Sequence, residues 1–193
     1  MTRIISGFAG SITLKTPGAG TRPTSDRVRE AVFSALESRG RVDGARVLDL
    51  YAGSGALGLE AASRGASVVR LVEQSGAGAT ACRFNAAAIL KQAPVGSDVQ
   101  IDVSVRLVQS FLTSNPEIWD LVFMDPPYDL GEEELALNLR SLAPRLAPDA
   151  TLCLERSSKS PEPRWPLGIE HERRSDYGDT TLWWAVSALP SAK

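Results

Sequence analysis

The feature that most restricts this chain is an alternation of short apolar runs with longer segments of helical period. Arg46–Leu50 (RVLDL), Val68–Val72 (VVRLV), Leu121–Met124 (LVFM) and Thr151–Leu154 (TLCL) have strand length and aliphatic character, and a weaker strand falls within 101–108. Between them, Ala56–Ser63, Gly76–Leu90 and Glu132–Leu142 read as helices. Runs without polar alternation are buried on both faces, as in parallel sheets. Strands alternating with helices predict an α/β fold with helices on both faces of one sheet. Upstream, Arg3–Ile5 and Ser11–Leu14 predict a small hairpin, and 16–20 a Pro/Gly turn. A helix follows over about Asp26–Glu37, capped by Thr24 or Ser25. Its apolar residues Val28, Ala31, Val32, Ala35 and Leu36 recur at i, i+3, i+4, i+7 and i+8. Downstream, Ile169–Ser175 and Thr180–Ser187 predict an antiparallel hairpin across Tyr177-Gly178-Asp179, after a Pro-rich surface loop at 160–166. The expected organisation is an N-terminal extension (1–40), an α/β domain (41–189) and a frayed tail (190–193).

Bulk properties remove several function classes. The 193 residues suffice for one domain with a real core. No apolar run approaches the roughly 20 residues of a membrane span, and the first 20 residues lack a secretory core; a cytoplasmic protein is expected. Cys82 and Cys153 read as buried, reduced thiols. A single histidine, His171, leaves no zinc set, so no metal is expected. The net charge is −2, but residues 1–46 carry eight Lys/Arg against four Asp/Glu. A basic arm beside an acidic body suits RNA at one end, and equally an ordinary solvated surface. The candidates for RNA contact are Lys15, Arg22 and Arg29. Among Arg22, Arg27 and Arg29, one is expected to form a structural ion pair with Asp26 or Glu30. Trp183 and Trp184 read as core or edge-strand residues.

Open parallel sheets bind ligands beyond the carboxyl ends of their strands. There the chain carries Asp49-Leu-Tyr-Ala-Gly53-Ser-Gly55-Ala-Leu-Gly58, a glycine loop opening a helix, with Glu73 at the tip of the next strand. Glycines let the backbone approach a ligand, and a strand-end carboxylate can accept both ribose hydroxyls. The same spacing satisfies a dinucleotide fingerprint. Asp49 tips the choice: a carboxylate there repels a pyrophosphate but suits the ammonium and sulfonium of S-adenosylmethionine. Nor is a second domain for a hydride-transfer substrate expected within these 193 residues.

The most specific stretch is Trp119-Asp-Leu-Val-Phe-Met-Asp125-Pro126-Pro127-Tyr128. Two prolines fix φ and make the turn rigid. The amino group of a nucleobase is a poor nucleophile because its lone pair is delocalised into the ring. If the Asp125 carboxylate and the Pro126 carbonyl each accept one N–H, that nitrogen is held and its lone pair is aimed. Tyr128 offers a face on which an extruded base stacks.

These residues carry a family resemblance. The chain resembles class I methyltransferases with an Asp-Pro-Pro-Tyr motif. More narrowly it is similar to the RsmD family, bacterial enzymes that make N2-methylguanine in 16S ribosomal RNA. The likeness runs through Arg3-Ile-Ile-Ser-Gly7, the segment from Gly20-Thr-Arg22-Pro-Thr24 to Phe33, Leu48–Glu60, Ser63-Arg-Gly65, Asp125–Tyr128 and Tyr177–Thr180. It implies a Rossmann-like three-layer sandwich. The sheet would be seven-stranded and mixed, with an antiparallel C-terminal hairpin and a small N-terminal hairpin and helix extension. It implies S-adenosyl-L-methionine bound by Asp49, Gly53, Gly55 and Glu73, with Tyr51, Ala52, Ser54 and Gln74 in the same loops and Thr24 and Arg27 at the border. Asp125, Pro126, Pro127 and Tyr128 would hold the guanine. The chain departs from the family after the third strand, where Leu107-Val108 replaces an acid or amide and leaves a backbone contact from Val108.

The expectation is therefore a monomeric methyltransferase that transfers a methyl group to the N2 amino group of a guanine in 16S rRNA, within the small ribosomal subunit. The nearest alternative is adenine-N6 transfer on DNA or RNA. Rivals of other classes are a dinucleotide-dependent oxidoreductase, which leaves Asp125–Tyr128 without a role, and a catalytically inert RNA-binding module.

Overall fold

In the computed structural model, which describes residues 2–18 and 26–189, five strands pair in parallel and the last two join the sheet through antiparallel pairing. The elements in chain order are α1 (Asp26–Glu37), β1 (Arg46–Leu50), α2 (Ala56–Ser63), β2 (Val68–Val72), α3 (Gly76–Leu90), β3 (Gln100–Ser104), α4 (Val108–Ser114), β4 (Trp119–Met124), α5 (Glu132–Leu142), β5 (Leu146–Ser157), β6 (Ile169–Tyr177) and β7 (Thr180–Ser187). The strand order is β3-β2-β1-β4-β5-β7-β6. The chain builds outward from β1 in one direction to β3 and in the other from β4. The order therefore reverses between β1 and β4, where such sheets open a crevice.

Side chains alternate across the sheet and separate two apolar layers. Val47, Val69, Leu71, Leu121, Phe123, Cys153 and Trp184 face α1, α2 and α3. Leu48, Leu50, Val72, Val122, Met124, Leu152, Leu154 and Trp183 face α4 and α5. The result is the expected three-layer sandwich with seven strands. Trp183 and Trp184 are both buried, one in each layer, and both cysteines are free and buried.

Three elements differ from the sequence reading. The N-terminal hairpin contains a single Arg3–Thr13 bridge rather than strands. Its turn is closed by bonds from the N–H groups of Ile4, Ser11 and Leu14 to Ile12, Ile4 and Thr2. Helix α4 was not expected at all: at seven residues it offers only Val108, Phe111 and Leu112 as a periodic signal. Strand β5 starts at Leu146, five residues early, and runs through Pro148 and a left-handed Asp149 (φ 59°) next to a register shift. Pro in a strand is confined to such irregular places.

The N-terminal segment is fastened by a buried charge. Glu60 on α2 is fully buried. Its carboxylate accepts from the backbone N–H of Ile5 at 2.7 Å and Ser6 at 3.0 Å, and from Arg64 Nε at 2.7 Å. Arg29 Nε lies 3.9 Å away. Arg29, also fully buried, donates to the carbonyl of Arg3 and to Asp26 at 2.9 Å. Burial pulls the Arg29 guanidinium below its ordinary value, and the charges of Glu60 and Asp26 oppose that. Removing one member of such a cluster strands the other charge in the core. Glu60→Ala is therefore expected to destabilise the fold by about 3–5 kcal/mol, measured by urea unfolding. A loss under about 1 kcal/mol would show that water reaches Arg29 and the cluster is not buried in solution.

Candidate active site at the carboxyl ends of the sheet

The register sets the site. Val72 on β2 lies beside Leu50 on β1, Leu50 beside Met124 on β4, and Met124 beside Leu154 on β5. The next residue on three of these strands is acidic: Glu73, Asp125 and Glu155. Asp49 sits one step inside on β1. On β1 itself the chain leaves the row, because Tyr51 takes a left-handed conformation (φ 63°) that an aromatic residue rarely adopts. Its hydroxyl accepts a 2.7 Å bond from Asn138 of α5, so the turn is held from the far layer.

Above this edge lies a cavity of about 320 Å³, lined by Asp49, Tyr51, Ala52, Gly53, Ser54, Glu73 and Gln74 on one side. On the other side stand Asp125, Pro126, Pro127, Tyr128 and Glu155, with Thr16 and Pro17 at the rim. Its volume is on the scale of small-molecule sites.

Backbone N–H groups preset the two inner carboxylates. Glu73 accepts from Gly53 N at 2.8 Å with one oxygen and from Ser75 N at 2.7 Å with the other. Each oxygen retains a second acceptor direction, which suits a vicinal diol. Asp49 is buried and accepts from Gly58 N at 2.9 Å. Burial pushes its carboxyl up to about 7, the Gly58 bond opposes this, and the charge of Glu73 adds to it. A cationic ligand would relieve that penalty.

The glycines have separate reasons. Gly53 (φ 58°) and Gly55 (φ 79°) turn the chain, and no atom lies closer than 4.0 Å to where a Cβ of Gly53 would stand. That face is open to the cavity. A Cβ at Gly58 would lie 2.5 Å from Leu71 Cδ2, so α2 sits directly on β2. Gly55 does not line the cavity; its N–H bonds Ala52 O at 2.6 Å and closes the turn.

On the other side the Asp-Pro-Pro-Tyr turn is braced twice. The Pro127 carbonyl accepts from Leu130 N at 3.0 Å, so of the two proline carbonyls this one is engaged in the turn. The buried Arg156 donates to the Leu130 carbonyl at 3.3 Å and pairs with Glu132 of α5. Tyr128 is 68 % exposed, an apolar face presented outward at the mouth.

Comparison with known proteins turns this geometry into a lineage. The family model described as conserved hypothetical protein 95 matches residues 2–186. The chain is 34% identical over 177 residues to ribosomal RNA small subunit methyltransferase D of Escherichia coli (strain K12), covering 91% of this chain and 85% of that one. The chain belongs to the RsmD family. The Haemophilus influenzae member of the same name is 33% identical over 162 residues, 82% of this chain and 80% of its own. Among solved structures, a putative methyltransferase yhhF from Escherichia coli superposes with a TM-score of 0.81 at 31% identity, over 96% of this chain and 97% of that one. A putative RNA methyltransferase from Pyrococcus horikoshii, at 16% identity and a TM-score of 0.70, shares the fold.

Within this RsmD-family chain the remaining sequence candidates divide. Thr24 and Arg22 lie outside the described residues. Arg27 is exposed on α1 and does not line the cavity. Val108 is buried at the start of α4 with its side chain in the far apolar layer, and is not a lining residue. Lys15 is exposed, with Nζ 3.5 Å from the centroid of the exposed Phe84 ring. Arg29 is corrected as an RNA contact: with no exposed surface and its donors directed at Arg3, Asp26 and Glu60, it cannot reach a phosphate. It is the structural ion pair expected among the three N-terminal arginines.

Three residues that shape the site escaped the sequence reading. Buried Asn85 accepts from Lys15 N at 2.8 Å and donates to Lys15 O at 2.9 Å and Ser54 O at 2.8 Å, tying the N-terminal segment to the glycine loop. Its signal was a lone amide in an alanine-rich helix. Glu155 signalled itself as a third apolar strand ending in an acid. Gly78 is costly inside a helix, and a Cβ there would lie 2.7 Å from Glu73 Cγ. Gly78→Ala is expected to force Glu73 off its two N–H partners. The melting temperature should fall despite the better helix propensity, with a net loss of about 1–2 kcal/mol. A gain in stability would show that α3 can back away from Glu73.

Proposed function

We propose that the protein is an S-adenosylmethionine-dependent methyltransferase that modifies the exocyclic N2 amino group of a guanine in 16S rRNA. Its acceptor is the small ribosomal subunit, assembled or assembling, and its place is the cytoplasm. The observation that carries this reading is the rigid Asp125–Tyr128 turn, set two strands from Glu73 across one cavity. The family membership and the names of its relatives support the substrate class.

The residues fit the methyl donor. Glu73 can take the ribose hydroxyls, the open face of Gly53 admits a close ligand, and Asp49 faces where the ammonium and sulfonium would lie. When bound, S-adenosylmethionine supplies an electrophilic methyl group beside the motif. The protein's own work is positional. Asp125 and the Pro126 carbonyl accept the two amino hydrogens and hold the nitrogen with its lone pair toward the cofactor side. Two fixed acceptors also stabilise the positive charge that grows on that nitrogen. Tyr128 offers its face to the base once it leaves the RNA stack. The surplus proton leaves through Asp125 or directly to water. Lys15, exposed beside Phe84, is the candidate here for a phosphate contact.

The reading is tested by transfer of labelled methyl from S-adenosylmethionine to small subunits lacking the modification, to naked 16S RNA and to duplex DNA, with nucleoside analysis. Label in N2-methylguanosine is expected. Label in N6-methyladenine would move the target and overturn the guanine assignment. Asp125→Ala is expected to lower turnover at least about 10²–10³-fold while cofactor affinity changes little. Normal turnover would remove Asp125 from its role.

Two further outcomes concern the cofactor half. Glu73→Ala should weaken S-adenosylmethionine binding by about 1–3 kcal/mol in calorimetry. Asp49 gives a pH dependence. Its carboxyl titrates near 7, so below that pH it is largely neutral and a cationic ligand must expel its proton on binding. Affinity is expected to rise between pH 5.5 and 7.5, with proton release detectable at the acid end, and Asp49→Asn should flatten the profile. A wild-type profile already flat over that range would contradict this.

A further inference from the structure

The cavity holds one carboxylate to which the mechanism above gives no task. Glu155 follows Leu154 within β5 as Asp125 follows Met124 at the end of β4, and the register brings them side by side, since Met124 pairs with Leu154. Their predecessors alternate in step: Phe123 and Cys153 belong to one apolar layer, Met124 and Leu154 to the other. Asp125 and Glu155 therefore leave the sheet on the same face from adjacent strands about 4.8 Å apart. Both line the cavity, and both line a small cleft that shares residues with it, together with Pro126, Tyr128, Arg156, Ser157 and Ser160. Glu155 lies on the side of the motif away from Glu73, where the acceptor base rather than the cofactor must sit. The Thr180 hydroxyl donates to its Oε1 at 3.4 Å, and the side chain is partly exposed.

We propose that Glu155 is a specificity-determining residue that accepts the N1–H of the target guanine while Asp125 and Pro126 hold its N2 amino group. This rests on the reading of the protein as a guanine-N2 methyltransferase. The chemistry follows from the base edge. In guanine the amino group at C2 adjoins N1–H, so the edge offers donors side by side to two neighbouring carboxylates. In adenine the nitrogen adjoining the amino group is an unprotonated acceptor, and a carboxylate opposite it is repelled rather than bonded. A charged acceptor meeting a ring N–H is a strong bond. A site built to bond a donor rejects an analogue lacking one far better than a shape fit does. Asp125 alone cannot make this choice, since both bases carry an amino group. With Glu155 beside it, β5 reads which base arrives and the end of β4 reads the group to be methylated.

The test compares wild type, Glu155→Gln, Glu155→Ala and Thr180→Val, using small subunits with guanine or adenine at the mapped target position. Glu155→Gln keeps the size and one acceptor but adds a donor. The proposal expects wild-type cofactor affinity and melting temperature in Glu155→Gln and at least a thirtyfold loss in kcat/KM on the guanine substrate. The guanine-over-adenine preference should fall at least tenfold, and Glu155→Ala should lose more on guanine without gaining on adenine. Thr180→Val should stay near wild type. Equal losses on both bases in Glu155→Gln, or the same loss in Thr180→Val, would make Glu155 a structural support and overturn the proposal. Glu155→Gln with unchanged kcat/KM and preference would overturn it while leaving guanine-N2 transfer by the wild type intact. Wild-type label in N6-methyladenosine would overturn both readings together.

Discussion

The buried carboxylate of Glu60 holds the N-terminal segment, α1 and α2 together. It lies on α2, the helix that the glycine loop opens, and it is satisfied by the backbone of Ile5 and Ser6 and by Arg64, with Arg29 of α1 close by. A buried ionised group is tolerated only when it is paired and hydrogen-bonded. The N-terminal segment must therefore lie across α2, and α1 must present Arg29 inward. Position 7 makes the same demand sterically, since a Cβ there would collide with the Ser63 carbonyl at 1.8 Å. The basic N-terminal stretch is thus a fitted part of the domain, and its charge is partly spent inside.

From that packing the site follows with little freedom. The sheet order reverses between β1 and β4, and parallel strands in register deliver their next residues to one edge. One half of the cavity draws on β1 and β2, the other on β4 and β5. The halves are rigid for different reasons: on one side carboxylates are clamped by backbone N–H groups, on the other proline geometry is braced by Arg156. The strain at Tyr51 sits between them and is held by Asn138 from the opposite layer.

Much of this was legible in the residues. RVLDL, VVRLV, LVFM and TLCL are apolar without alternation, so their strand character and burial were plain, and the order of strands and helices gave the layers. The glycine loop, Glu73 and Asp125–Tyr128 were visible because each follows such a strand. What escaped depended on the third dimension. Helix α4 is too short for a period, and β5 begins in Leu146-Ala-Pro-Asp, which reads as a loop until β4 pairs with it. Arg29 looked like its exposed neighbours because only the fold decides that Glu60 lies beneath it. Glu155 could be seen as one more acid at a strand end, but that it stands next to Asp125 follows from strand order, which local sequence does not contain.

The two cysteines have a practical meaning. Cys82 donates to the Gly53 carbonyl at 3.3 Å, and burial pushes its thiol up to about 12, with the charges of Asp49 and Glu73 adding to the effect. Burial likewise raises Cys153 in the sheet. Only the thiolate reacts quickly with alkylating agents or peroxides, so the folded protein should shrug off oxidants that cripple enzymes with exposed thiols. Because Cys82 leans on the glycine loop, its alkylation is a built-in clock for how often that loop lifts, and a bound nucleoside should slow the clock.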